Sequence, residues 1–150
     1  MPGALFDTGV WLASMFPAHP RHAQARRCLQ RASASEPAVF CRSTQQSFLR
    51  LASTPAILKA YAASELTNRD ATAALESLMA LPQVRESDEP AGTFEFWKRL
   101  ASVGTASPKV WMDAYLAAFA ISGGLHMTSL DRDFRNFVPH GLKLELIAGP

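Results

Sequence analysis

An α/β fold with a central parallel sheet follows from three features of the chain. Short apolar runs, Ala4 to Asp7, Ala38 to Cys41 and Leu125 to Leu130, alternate with segments of helical spacing. Strands alternating with helices imply a parallel sheet covered on both faces. The segment from Val110 to Ile121 is apolar nearly all round, as a helix buried against such a sheet must be.

Each element has its own justification along the chain. Residues 4–7 read as a short buried strand, and Thr8 to Phe16 as a helix stopped by Pro17. Pro20 opens a second helix to about Ala34, with Ala25, Cys28, Leu29 and Ala32 on one face. Pro37 ends the next turn, and Ala38-Val39-Phe40-Cys41 is the second strand. Thr44 to Ser53 returns to helical spacing, and Asn68 caps a helix to about Leu81. Val84 to Glu86 is a weak third strand. Thr93 to Val103 is an amphipathic helix ended by Gly104. Ser107-Pro108 starts the long apolar helix, which closes at Gly123-Gly124. Residues 125–130 and 142–147 form two further strands around an Asp-Arg-Asp-Phe turn.

Composition narrows the class without naming a partner. The 150 residues, 48% of them hydrophobic, fit a single domain over residues 1–150 with a substantial core. A formal charge of +2 demands no nucleic acid. Arg21, Arg26, Arg27 and Arg31 share one helix, where phosphate contact and a solvated face are both open readings. Arg132 and Arg135 surround the last acidic motif. Cys28 and Cys41 have neither metal-ligand spacing nor a disulfide framework, so they read as buried free thiols. No basic segment precedes an apolar stretch at the N-terminus, and the Val110–Ile121 segment is too short to span a bilayer. A cytoplasmic protein without a membrane partner is expected.

Three aspartates stand out against this background. In open parallel sheets, ligands gather outside the carboxyl ends of the strands. Asp7 ends the first strand and Asp131 follows the Leu125–Leu130 run, so the fold brings both to that edge. Asp113, near the start of the buried helix, can face the same edge. Taken singly, Asp7 reads as a helix cap and Asp131, with Asp133, as a turn former. Asp113 resists such a reading, because a carboxylate among apolar neighbours needs a hydrogen-bonding or metal partner. Carboxylates suit Mg²⁺ or Mn²⁺. The four histidines have no zinc-like spacing, and no serine-nucleophile, phosphate-loop or dinucleotide motif is present. Metal-assisted hydrolysis is the chemistry that remains.

At these residues the chain resembles the PIN-domain ribonucleases, specifically the VapC-type toxins of toxin–antitoxin pairs. Leu5-Phe6-Asp7-Thr8-Gly9-Val10-Trp11-Leu12 is similar to the opening family motif, and Phe40 to Arg50 to the second. Trp111-Met112-Asp113-Ala114-Tyr115-Leu116-Ala117-Ala118 is the most specific match. Thr128-Ser129-Leu130-Asp131-Arg132-Asp133-Phe134 is similar to the closing motif. Two positions depart from the pattern. Gly9 stands where the family often has Asn, and Gln45 where it usually has a second acid, with Ser47 the alternative register.

The resemblance implies a three-layer α/β/α sandwich and a Mg²⁺- or Mn²⁺-dependent endoribonuclease hydrolysing RNA phosphodiesters. Asp7 and Asp113 would coordinate the ion, Asp131 would complete the catalytic set, and Gln45, Thr8, Ser129 and Asp133 would support it. Arginines near the cleft would position the RNA, whose contact residues the sequence does not identify. A VapB-type antitoxin and a homodimer are the implied partners. Phe16, Ile57, Leu58, Tyr61 and Leu66 offer apolar surface for an interface. The alternative is a weak scaffold that binds RNA or protein without cleaving. A phosphoacceptor receiver domain is more distant, since its paired acids and later lysine are missing.

Overall fold

The computed structural model describes residues 3–61 and 64–147. Five strands form one parallel sheet in the order β3-β2-β1-β4-β5. They are β1 (Ala4–Phe6), β2 (Ala38–Phe40), β3 (Val84–Glu86), β4 (His126–Ser129) and β5 (Leu144–Leu146). Seven α-helices connect them: α1 (Thr8–Met15), α2 (His22–Arg31), α3 (Arg42–Ala52), α4 (Pro55–Ala60), α5 (Asn68–Met79), α6 (Thr93–Ala101) and α7 (Val110–Ser122). A 3₁₀ segment, Arg132–His140, precedes β5. The expected α/β/α layering is therefore present.

Successive strand residues point to opposite faces, and this sorts the core into two halves. Phe6 and Phe40 join Val10, Trp11, Phe48 and Ala71 on the side of α1, α2, α3 and α5. Leu5, Val39 and Met127 face the other way, onto Ala117 and Phe119 of α7 and onto Phe134 and Phe137 of the 3₁₀ segment. Trp11 stacks on Phe40 with centroids 3.8 Å apart and planes within 7°, and Phe6 leans on Trp11 at 4.9 Å. Aromatic pairs of this kind add about 0.5–1.5 kcal/mol beyond burial. They clamp α1 to β1 and β2, and so fix the junction that carries Asp7.

Several expectations are corrected. Residues 55–60 form α4, a helix too short to show apolar periodicity. The helix expected from Asn68 has Thr67 as its cap, whose hydroxyl accepts from the Asp70 N–H while the Asp70 carboxylate accepts from the Thr67 N–H. The turn expected after Asp131 continues as nine residues of 3₁₀ helix. Phe16 and Leu58, expected on an interface, are buried, and Ile57, Tyr61 and Leu66 pack half-buried on the same core. Cys28 and Cys41 are buried free thiols, as expected. No helix among the described residues is long and apolar enough to cross a membrane.

Candidate metal centre

Register places two acids side by side at the carboxyl edge. Phe6 pairs with Thr128, and the next backbone N–H, that of Asp7, donates to the Thr128 carbonyl at 3.0 Å. Asp7 then caps α1, its Oδ1 accepting from the Thr8 N–H at 2.8 Å. The capping role and the edge position read from the sequence are thus one geometry.

Ser129, the last residue of β4, ties the cluster together. Its hydroxyl donates to Asp7 Oδ2 at 2.9 Å, and its oxygen accepts from the Asp131 N–H at 2.9 Å. Asp131 Oδ1 in turn accepts from the Asp133 N–H at 2.9 Å and starts the 3₁₀ segment. Asp113 enters from the first turn of α7. One carboxylate oxygen each from Asp113, Asp131 and Asp133 lie within 4.8 Å of one another. Asp7 is outside that trio, drawn instead to Ser129 and Thr8. Asp133, the lesser expectation from the sequence, is a full member.

Like charges at this spacing disturb one another. Burial, with a further contribution from Asp131 and smaller ones from Asp7 and Asp133, pushes the Asp113 carboxyl up to about 6, while Lys109 pulls it down. Burial also raises Asp7, against the hydrogen bonds from Ser129 and Thr8, and the Asp131 charge adds to the rise. All four aspartates thus share one electrostatic site. Its donors are carboxylate oxygens with no imidazole or thiolate, a set that fits a hard divalent cation, whose charge would relieve the repulsion. The cavity beside Asp113, about 220 Å³, is lined also by Ser107, Lys109, Asp133 and Asn136.

Lys109 is the residue that the sequence reading missed. Its Nζ lies 2.6 Å from Asp133 Oδ2 and 3.7 Å from Asp131 Oδ2. The hydrogen bond to Asp133, with the charges of Asp131 and Asp133, holds the ammonium above its usual range. The available signal was position: Lys109 precedes Asp113 by four residues, one helical turn. The cation meeting the acids is therefore this lysine rather than Arg132 or Arg135, both exposed and without a recorded ion pair among the described residues.

Gln45 is buried on α3, but among the described residues its hydrogen-bond partners are not the acids. Its Oε1 accepts from Arg42 Nη1 at 2.8 Å, and its Nε2 approaches Met79 Sδ at 3.8 Å. Arg42 also pairs with Glu86 at 3.0 Å. At Gly9, an added Cβ would meet only Leu130 Cδ1, at 3.5 Å, so no crowding imposes glycine there.

Known proteins place this chain in a family. Residues 4–138 match the PIN domain. Ribonuclease VapC41 of Mycobacterium tuberculosis is 40% identical over 145 residues, covering 96% of this chain and 98% of the relative. Ribonuclease VapC31 of the same species is 30% identical over 134 residues, 89% and 92% of the two chains. The crystal structure of VapBC2 from Rickettsia felis bound to a promoter DNA fragment has a chain of the same fold, with a TM-score of 0.69 at 12% identity. That likeness covers 97% of this chain and 98% of the other. The sarcin–ricin-loop-cleaving toxin VapC20 of Mycobacterium tuberculosis gives a TM-score of 0.61 at 19% identity, over 99% and 100% of the two chains. With four acids at the carboxyl edge of a β3-β2-β1-β4-β5 sheet, and a match from β1 through the 3₁₀ segment, this chain belongs to the PIN-domain family, in its VapC branch.

Proposed function

We propose that the chain is the toxin of a toxin–antitoxin pair, an endoribonuclease that uses Mg²⁺ or Mn²⁺ to hydrolyse RNA phosphodiesters. The observation that carries this reading is the gathering of Asp113, Asp131 and Asp133 within 4.8 Å of one another, with Asp7 joined to Asp131 through Ser129 and Lys109 paired with Asp131 and Asp133. The 40% identity to a VapC ribonuclease over nearly the whole chain supports it.

Asp7 and Asp113 would hold the ion, with Asp131 and Asp133 completing the acidic wall. Bound there, a divalent ion would polarise a phosphoryl oxygen and lower the pKa of the attacking water. Ser129 keeps Asp7 and Asp131 in register, since one hydroxyl bonds to both residues. Asp131, half-buried at the rim, would help orient the attacking water. Half-exposed Trp111 and Met112 immediately precede Asp113 in sequence and, with Phe94, leave apolar surface on the α6–α7 side. That surface suits a partner better than the buried residues of α1 and α4, and supports a homodimer and a VapB-type antitoxin. A cytoplasmic place of action fits an RNA substrate.

Incubating purified chain with RNA in Mn²⁺, after chelation and after Mn²⁺ is restored tests the reaction. Cleavage that stops and returns is expected; cleavage unaffected by chelation contradicts the metal, and RNA bound but never cut supports a scaffold. Co-expression with the product of the adjacent small reading frame, followed by light scattering, tests the partners. A monomer neither bound nor inhibited by that product would leave a free-standing nuclease.

A further inference from the structure

We propose that Lys109 is the resident second cation of this site, so that the chain binds one divalent ion where a fuller set of acids would bind two. The inference rests on the metal-site reading above and adds its stoichiometry. Two independent observations lead to it.

First, the ammonium of Lys109 lies 3.7 Å from Asp131 Oδ2 and donates to Asp133 Oδ2 at 2.6 Å. An ion there would have to displace a cation already hydrogen-bonded in place. Second, α3 carries the amide Gln45 at the position where the resemblance would put an acid. The only oxygen of the Gln45 side chain is taken by Arg42, itself anchored to Glu86. A second divalent ion would therefore lack a ligand on α3 and meet a positive charge at Asp131 and Asp133. Asp7 and Asp113 are left for a single ion, without an ammonium directly on either carboxylate among the described residues.

The lysine has a further use once RNA is present. An ammonium carries three donors, and one is hydrogen-bonded to Asp133 Oδ2. A remaining donor, on an exposed side chain lining the Asp113 cavity, can reach a phosphoryl oxygen of the bound strand.

Counting Mn²⁺ ions on the full chain without RNA tests the assignment, by calorimetric titration and by electron paramagnetic resonance of free Mn²⁺. Wild type is expected to bind one ion, and Lys109→Arg also one. Lys109→Met should bind a second ion and hold the first at least severalfold more tightly. Lys109 is exposed, so the variants should keep the wild-type circular dichroism spectrum. Two ions on wild type, a second ion on Lys109→Arg, or one ion of unchanged affinity on Lys109→Met would each overturn the inference. Loss of binding by wild type altogether would instead remove the metal-site reading, and this inference with it. RNA cleavage is not the readout, so failure of the nuclease reaction and failure of the ion count are separable.

Discussion

Two charged regions lie on the same sheet and are built on opposite principles. Between α2 and β5, Arg31 meets Glu145 through two contacts from one nitrogen, at 2.9 and 2.7 Å, beside a cavity of about 320 Å³ lined also by Cys28 and His126. One cation answers one acid there. At the carboxyl edge, one lysine pairs with two of four neighbouring aspartates, and Asp113 is pushed up to about 6. The roomier cavity is thus the electrostatically quiet one. A balanced pair stabilises a surface, whereas an excess of buried like charge persists only where another cation is expected. Charge imbalance, more than cavity size, distinguishes the edge proposed to bind the ion.

The largest expected effect that sharpens this contrast is at Ser129. Ser129→Ala removes the hydroxyl shared by Asp7 and Asp131, and Mn²⁺ affinity measured by calorimetry should fall about 10–100-fold. An unchanged affinity would show that the acids hold their positions without it.

Acidity comes next. Asp113 titrates near 6, so a proton competes with the ion below that pH. Mn²⁺ affinity should weaken by up to about tenfold per pH unit on going below 6 and level off above it. A flat profile from pH 5 to 7 would place Asp113 outside the ion's shell.

The same shift has a signed consequence for stability. A carboxyl raised from 3.8 to about 6 binds its proton more tightly in the folded chain than in the unfolded one. Its ionisation therefore lowers stability as pH rises through that window, and the whole penalty is present at pH 7. In metal-free buffer at pH 7, Asp113→Asn should stabilise the fold by about 1 kcal/mol after allowance for solvent screening, raising Tm by about 2–4 °C. A lower Tm would mean that Asp113 is held by favourable contacts rather than strained by its neighbours.

The smallest effect belongs to the balanced pair. Arg31→Met should cost no more than about 1 kcal/mol in urea unfolding, as exposed ion pairs do, and leave RNA cleavage unchanged. A large loss of cleavage would carry function to a region that the account calls structural.

The two regions also differ in how far they could be read from sequence. Asp7 and Asp131 were legible because strand ends are marked by apolar runs, and Asp113 because it interrupts an apolar helix. The parallel sheet was legible from the same alternation. Helix α4 was not, since six residues carry less than two turns of pattern. The position of Lys109 over Asp131 and Asp133 was not, because it brings together residues 22 and 24 positions apart, through the angle between α7 and the 3₁₀ segment. Gln45 was read as a stand-in for a metal-binding acid, and its engagement by Arg42 depends on a rotamer that sequence does not specify. Ser129 was named as support, but its bridging of two acids needed the strand register.

The acidic edge is proposed to hold a divalent ion for RNA hydrolysis, and removing one charge at a time tests this most directly. RNA cleavage rates should be measured in saturating Mn²⁺ for wild type, Asp7→Asn and Asp113→Asn, each purified free of contaminating ribonuclease and checked for folding by circular dichroism. Each variant is expected to lose at least about 100-fold in rate while remaining folded. Cleavage by either folded variant at the wild-type rate would contradict the account.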